Sequence, residues 1–241
     1  MTRHGRRTVV TSALALAMGI VSAASAGSAS AVATTTVGLW NMNEPAGATT
    51  AVDSSGNGVN GTVGSDVQTG VVFDGATAYR FPDIAPNSPP TRPQHLVTTP
   101  NSALHNPDGG DFTVTVRFRT TRSPGNIVQK GQNGVVGGYW KVEEVNGRAR
   151  CVFFPGPDRG LSATASKRVD DGVWHTVVCE RTPSSVTIYL DGVRYTSVSG
   201  PHGPIANSKG LSIGGKSKCD QLKVGCDYFS GDIDYVQIFR G

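Results

Sequence analysis

The sequence predicts an all-β, antiparallel fold, on two observations. Asn146-Gly147 and Asp191-Gly192 are two-residue type I′ hairpin signals, each set between β-branched, alternating runs. Phe112–Arg119 reads F-T-V-T-V-R-F-R, a clean period of two that puts Phe112, Val114, Val116 and Phe118 on a core face and Thr113, Thr115, Arg117 and Arg119 outside.

Ahead of the strands, Arg3, Arg6 and Arg7 precede an apolar run over 9–21 and small-residue sites at Ala29-Ser30-Ala31 and Ala31-Val32-Ala33. This is the layout of a signal peptide over 1–33, and it predicts a secreted, extracellular protein exported by the ordinary route or, through Arg6-Arg7, by the twin-arginine one. Of 241 residues, cleavage after Ala33 leaves 208, a length suited to a single all-β domain over 34–241. The 1–33 segment holds three arginines and no acid, so its removal takes the formal charge from +4 to +1. A near-neutral chain is a poor general binder of nucleic acid, and no second apolar stretch is long enough to span a bilayer. A monomer is expected.

The first strand covers 37–41 and carries Trp40 in the core or on the sheet edge. Residues 44–64 are rich in Gly, Asn, Ser and Thr and read as loop; 53–58 opens like a calcium loop, but Gly64 stands where an EF-hand needs Glu, and Asx-turns account for it. Short strands are expected at 71–73 and from 79. Residues 85–107 carry many prolines and read as a long surface excursion. Strands follow at 126–130, Tyr139–Val145 and Arg148–Phe154, with a glycine-rich connection over 131–138 whose spacing is not that of a phosphate loop. Residues 173–181, 186–190 and 193–196 form three strands in succession, Leu211–Ile213 a short one, and 228–239 the last, closing beside the first.

Cys151, Cys179, Cys219 and Cys226 in an exported chain read as disulfides, and no C-x-x-C pair supports zinc. Cys219 and Cys226 enclose a short polar loop, while Cys151 and Cys179 lie on two strands of the central meander, so the expected pairs are 151–179 and 219–226. Counting outward from the two turns pairs Glu143 with Arg150, Val142 with Cys151, and Tyr189 with Arg194. With both cysteines on one face, Trp140, Val142, Ala149, Phe153, Val177, Ile188 and Leu190 join them as core. The other face receives Tyr139, Lys141, Glu143, Arg150, Glu180, Thr187, Tyr189 and Arg194. It is a ligand site or a solvated surface, with Glu143–Arg150 a plain cross-strand pair in the second case.

D-G-V-W-H at 171–175, the C-E-R strand, the L-D-G-V hairpin at 190–193, G-L-W-N-M-N-E-P-A-G at 38–47, D-S-S-G-N-G-V-N-G at 53–61 and G-D-I-D-Y-V-Q-I at 231–238 resemble the laminin G-like modules of the concanavalin A-like superfamily. The resemblance implies a two-sheet antiparallel jelly-roll sandwich and a binding module for an extracellular glycan, and the cations clustered on a nearly neutral chain suit an acidic or heavily hydroxylated one. Parity from the two hairpin turns places the site on Tyr139, Lys141, Glu143, Arg150 and Tyr189, bordered by Lys216, Asp220 and Gln221. The resemblance also implies a structural Ca²⁺ held by Asp234 and Asp74 with carbonyls near Gly75. Two alternatives stay open. One is a polysaccharide-degrading enzyme, either a glycoside hydrolase using the pair Glu143 and Glu180 or a lyase using Tyr139 or Tyr189 with Lys141 and Arg150. The other is an adhesion or protein-interaction module.

Overall fold

Both hairpin turns form as their sequences require. Asn146 and Gly147 take φ of 54° and 78°, and Asp191 and Gly192 take 52° and 78°, the doubly left-handed backbone of a type I′ turn. The registers follow: Val145 faces Arg148, Glu143 faces Arg150 and Val142 faces Cys151, while Leu190 faces Val193 and Tyr189 faces Arg194. The structure, a computed structural model, describes residues 34–85, 94–156, 160–217 and 226–241. The expected signal peptide and the loop residues Cys219, Asp220 and Gln221 lie outside them. All described residues fall in the unit Ala33–Gly241, and none of their helices is long and apolar enough to cross a membrane.

The strands, numbered in chain order, form two antiparallel sheets. Sheet A holds β1 (Thr35–Trp40), β4 (Gln68–Phe73), β5 (Ala76–Phe81), β7 (Phe112–Arg119), β12 (His175–Thr182), β13 (Ser185–Leu190), β14 (Val193–Ser199) and β16 (Gly231–Arg240). Its order is β14-β13-β12-β7-β16-β5-β4, with β1 also paired to β16. Sheet B holds β2 (Thr50–Ala51), β3 (Gly61–Val63), β6 (Val97–Thr98), β8 (Gly125–Lys130), β9 (Tyr139–Val145), β10 (Arg148–Phe154), β11 (Leu161–Arg168) and β15 (Leu211–Ile213), in the order β11-β10-β9-β8-β15-β6-β3-β2. The last strand closes beside the first, as expected, and β7 alternates buried and half-buried along its whole length. Trp40 is buried, donating its indole N–H to the Val59 carbonyl at 3.1 Å. Asp53 accepts from the Ser55 N–H at 3.0 Å as an Asx-turn.

Cys151 bonds Cys179 with their Cα atoms 5.6 Å apart, but the bridge does not join two strands of one meander. Cys151 sits on β10 in sheet B and Cys179 on β12 in sheet A, so the cystine crosses the sandwich. The chain changes sheets between β11 and β12, and β11 is a strand the sequence does not announce. Its fully buried residues are Ala163 and Ala165, with Leu161 half-buried against the core at one end; the two alanines contribute little hydrophobic mass yet let the sheets close together on this side. Here the Thr196 hydroxyl of β14 donates to the Thr164 carbonyl of β11 at 2.8 Å. Trp140, Val142, Ala149, Phe153, Val177, Ile188 and Leu190 are all buried in the shared core. The residues between them divide onto two outer faces, one per sheet.

Candidate functional site

The outer face of sheet B is built on one cross-strand row. Thr98 pairs with Ser212, Ser212 with Gln129, Gln129 with Lys141, and Lys141 with Val152. Strand parity turns these side chains away from the core, whose own row is Val97, Ile213, Val128, Val142 and Cys151. The result is a floor of hydroxyl, amide and ammonium groups across four strands. Beside it opens a recess of about 440 Å³ lined by Asn101, Gln129, Gln132, Ser208, Ser212 and Ser217 among others. A smaller hollow shares Gln129 and Gln132 and brings in Asn133, Tyr139, Lys141 and Lys216.

The end wall is the 131–138 loop, which lies flush on neighbouring main chain. A Cβ on Gly137, at φ 88°, would stand 1.8 Å from the Ala206 carbonyl oxygen, so only glycine permits this closure. Behind the floor, Lys130 is fully buried and donates to Asn101 Oδ1 at 2.7 Å and to the Lys209 carbonyl. Burial lowers its ammonium to about 8.

Next along β9 and β10, Glu143 is nearly buried and held by two cations. Its Oε1 accepts from Arg150 Nε at 2.6 Å, and its Oε2 from the Lys141 ammonium. One acid between two bases leaves one formal positive charge. It also means that Lys141 and Arg150 are not independent surface cations: reversing both would strand Glu143 in a buried, like-charged setting. Tyr139 stacks on Phe154, with ring centres 5.2 Å apart and planes inclined by 26°. Burial raises its phenol above the usual range, with the Glu143 charge adding to the effect. Lys216, close by, reaches Asp227 at 2.5 Å.

Of the expected site residues, Tyr139, Lys141, Glu143, Arg150 and Lys216 are therefore brought together. Tyr189 is not. It lies on β13, on the outer face of sheet A, as do Glu180 and Arg194, because β12–β14 belong to the opposite sheet. The carboxylates of Glu143 and Glu180 consequently cannot face one another across a groove. Asp220 and Gln221 fall outside the described residues. Gln129, Gln132, Asn101 and Ser212 are additions that sequence reasoning missed, although the register of β8 against β9 could have found Gln129.

The residues expected to hold calcium are separated in role. Asp234 receives Arg117 Nη1 at 2.5 Å, so an ion there would have to displace a guanidinium. Asp74 occupies the tight turn between β4 and β5 at φ 41°. Among the described residues no three His, Cys, Asp or Glu side chains stand close enough together to hold a metal, and an ion near Asp74 would draw mainly on main-chain carbonyls.

A family model described as the concanavalin A-like lectin/glucanases superfamily matches residues 91–241, more than half of the chain. No curated protein sequence matches significantly. Solved structures of similar fold include the binding domain of Paraclostridial Mosquitocidal Protein 1, at 13% identity and TM-score 0.61, covering 86% of this chain and 48% of that one. The binding domain of Botulinum neurotoxin DC, solved in complex with SialylT, is similar at 14% identity and TM-score 0.57, covering 86% and 46%. The serotype D binding domain matches at 13% and 0.59, covering 86% and 47%. The chain thus spans about half the length of the structures it matches, and at such identities the likeness is one of fold.

Proposed function

The chain belongs to the concanavalin A-like lectin/glucanases superfamily, and from that premise we propose that it is an extracellular binding module whose sheet B face takes a hydroxyl-rich glycan. The observation that carries this reading is the floor from Ser212 through Gln129 to Lys141, which joins the 440 Å³ recess at one end to the Tyr139–Phe154 stack at the other. Sugar rings need polar partners for their hydroxyls and an aromatic plate for their C–H faces; Asn101, Ser208 and Ser217, exposed around the nearly buried Ser212 and Gln129, offer the first and the Tyr139–Phe154 stack the second. The single surplus positive charge of Lys141, Glu143 and Arg150 suits one acidic substituent on an otherwise neutral glycan. Export is supported by the arginine-led apolar N-terminal segment and by the cystine. The neurotoxin domain solved with SialylT is in keeping with a binding role. Glycoside hydrolysis is not proposed, because the carboxylates that would share it stand on opposite sheets.

A glycan array followed by titration tests the reading. At least one polysaccharide should bind, and Tyr139→Ala should weaken it about tenfold, close to 1.4 kcal/mol. Replacing Lys141, Glu143 and Arg150 together by glutamine should remove any preference for an acidic glycan without stranding a charge. An array with no hit, or unchanged affinity in the Tyr139 variant, would sink the assignment.

A further inference from the structure

On the opposite face of the molecule, sheet A carries a larger recess of about 520 Å³, lined by Gln68, Arg80, Asp83, Arg119, Arg122 and Asp232 among others. Its floor is a cross-strand row, Arg119 of β7, Asp232 of β16 and Arg80 of β5. Asp232 is buried and takes both guanidinium groups. Arg80 Nε and Nη2 donate to its two oxygens at 2.8 and 3.1 Å, and Arg119 Nε and Nη2 stand 2.8 and 2.7 Å from Oδ2. Arg119 is further fixed with its guanidinium carbon 5.0 Å from the centre of the Trp174 ring.

One fork would suffice to satisfy a carboxylate, so the second leaves a cation in surplus. Of the other acids of the recess, Asp83 is matched by Arg122 at 2.7 Å, and Asp66 stands on the far side against His95 at 2.7 Å, a pair that is ionic only when the imidazole is protonated. Among the described residues, Nη1 of Arg80 and of Arg119 have no hydrogen-bond partner, and the two side chains are 47% and 30% exposed. Thr121 and Gln68 line the recess with an exposed hydroxyl and amide, the Thr120 and Ser230 hydroxyls are committed to the Ser230 and Pro82 carbonyls, and Phe81 and Pro82 form a less polar wall.

We propose that this recess is a second ligand site, which takes a small organic carboxylate with a polyhydroxylated body, of the size and chemistry of one or two uronic or aldonic acid units. The carboxylate would bridge the spare guanidinium donors and the hydroxyls would meet Thr121 and Gln68.

The test is a backbone amide chemical-shift titration of the whole protein with D-glucuronate, with D-glucose and inorganic sulfate as parallel arms. Glucuronate should give saturable, salt-sensitive shifts at Gly172 and Gly231, which line the recess, and none at Gln129 or Lys141. Glucose should give none, and sulfate should bind more weakly than glucuronate. Arg80→Gln leaves Asp232 paired with Arg119 and should weaken glucuronate about tenfold or more. Asp232→Asn, which removes the shared counter-charge, should tighten it several-fold, a gain that a purely structural role for the three residues would not produce. Tyr139→Ala should change nothing here, which separates this site from the sheet B face. Equal shifts with glucose, stronger binding of sulfate, no shift at Gly172 and Gly231, or unchanged binding in Arg80→Gln would each overturn the proposal.

Discussion

Glu144 ends the inward-facing row of β9, after Trp140 and Val142, and neither of its carboxyl oxygens has a hydrogen-bond partner in good geometry. Burial raises it from an ordinary 4.5 to about 7, against the opposing pull of the nearby Ser123 hydroxyl. The folded state therefore binds a proton that the unfolded chain releases at a lower pH. The associated stability is fully present below about pH 4.5 and lost as pH rises through about 7, a change of about 3 kcal/mol. Glu144→Gln should abolish most of that slope and raise the melting temperature at pH 8, read by thermal unfolding across a pH series; an unchanged slope would show that the carboxyl is charged and satisfied. His175 is tied differently. Its two ring nitrogens lie 2.9 Å from Asp191 and 3.1 Å from Asp171, so the D-G-V-W-H segment and the L-D-G hairpin that carry the family resemblance are held to each other through one imidazole. Residue identity was enough to read the resemblance, but the contact behind it depends on β12 and β13 lying side by side.

At the scale of elements, the hairpins are legible because turn chemistry sets their register. Asn146-Gly147 and Asp191-Gly192 leave one pairing each, and every pair counted outward from them is found. The strands that escape notice are those without such a signal. β2 and β3 have two and three residues, and β11 buries fully only two alanines, with Leu161 half-buried at its start. The sheet that holds each face is hidden for a related reason: the connection after β11 leads as readily to the opposite sheet as to a neighbour in the same one, and parity within a hairpin says nothing about which sheet holds it. Hence parity in the β9–β10 hairpin is enough to bring Tyr139 and Lys141 beside Arg150, whereas Tyr189 lies on the other sheet. The small inward face of β11 is itself a testable requirement. Ala163→Leu should cost about 1–3 kcal/mol by overpacking where the sheets meet, and Ser162→Leu on the exposed face far less, by denaturant unfolding. Comparable losses would mean that the sheets are not close-packed there.

For the molecule as a whole, both outer faces use the same device, a nearly buried acid shared by two cations: Glu143 between Lys141 and Arg150 on sheet B, Asp232 between Arg80 and Arg119 on sheet A. Each rigidifies its surface and leaves one positive charge over. Burial opposes ionisation of Asp232, but the hydrogen bonds and charges of the two arginines outweigh it and hold the carboxyl below its usual range. The cystine adds an asymmetry. Cys151 lies one strand in from the β11 edge of sheet B and Cys179 two strands in from the β14 edge of sheet A, whereas the far margins, β2 and β4, are remote from it. The sandwich is bound like a book, with a spine on one side and loose leaves on the other. Hydrogen exchange should therefore quicken from β10 and β12 towards β2 and β4, and reduction of the bridge should flatten that gradient; uniform exchange before reduction would contradict it. The Tyr139 end of the polar floor sits next to the spine and the Asp232 recess nearer the open leaves, so the cystine braces the first, while the second depends on its own ion pairs for stiffness.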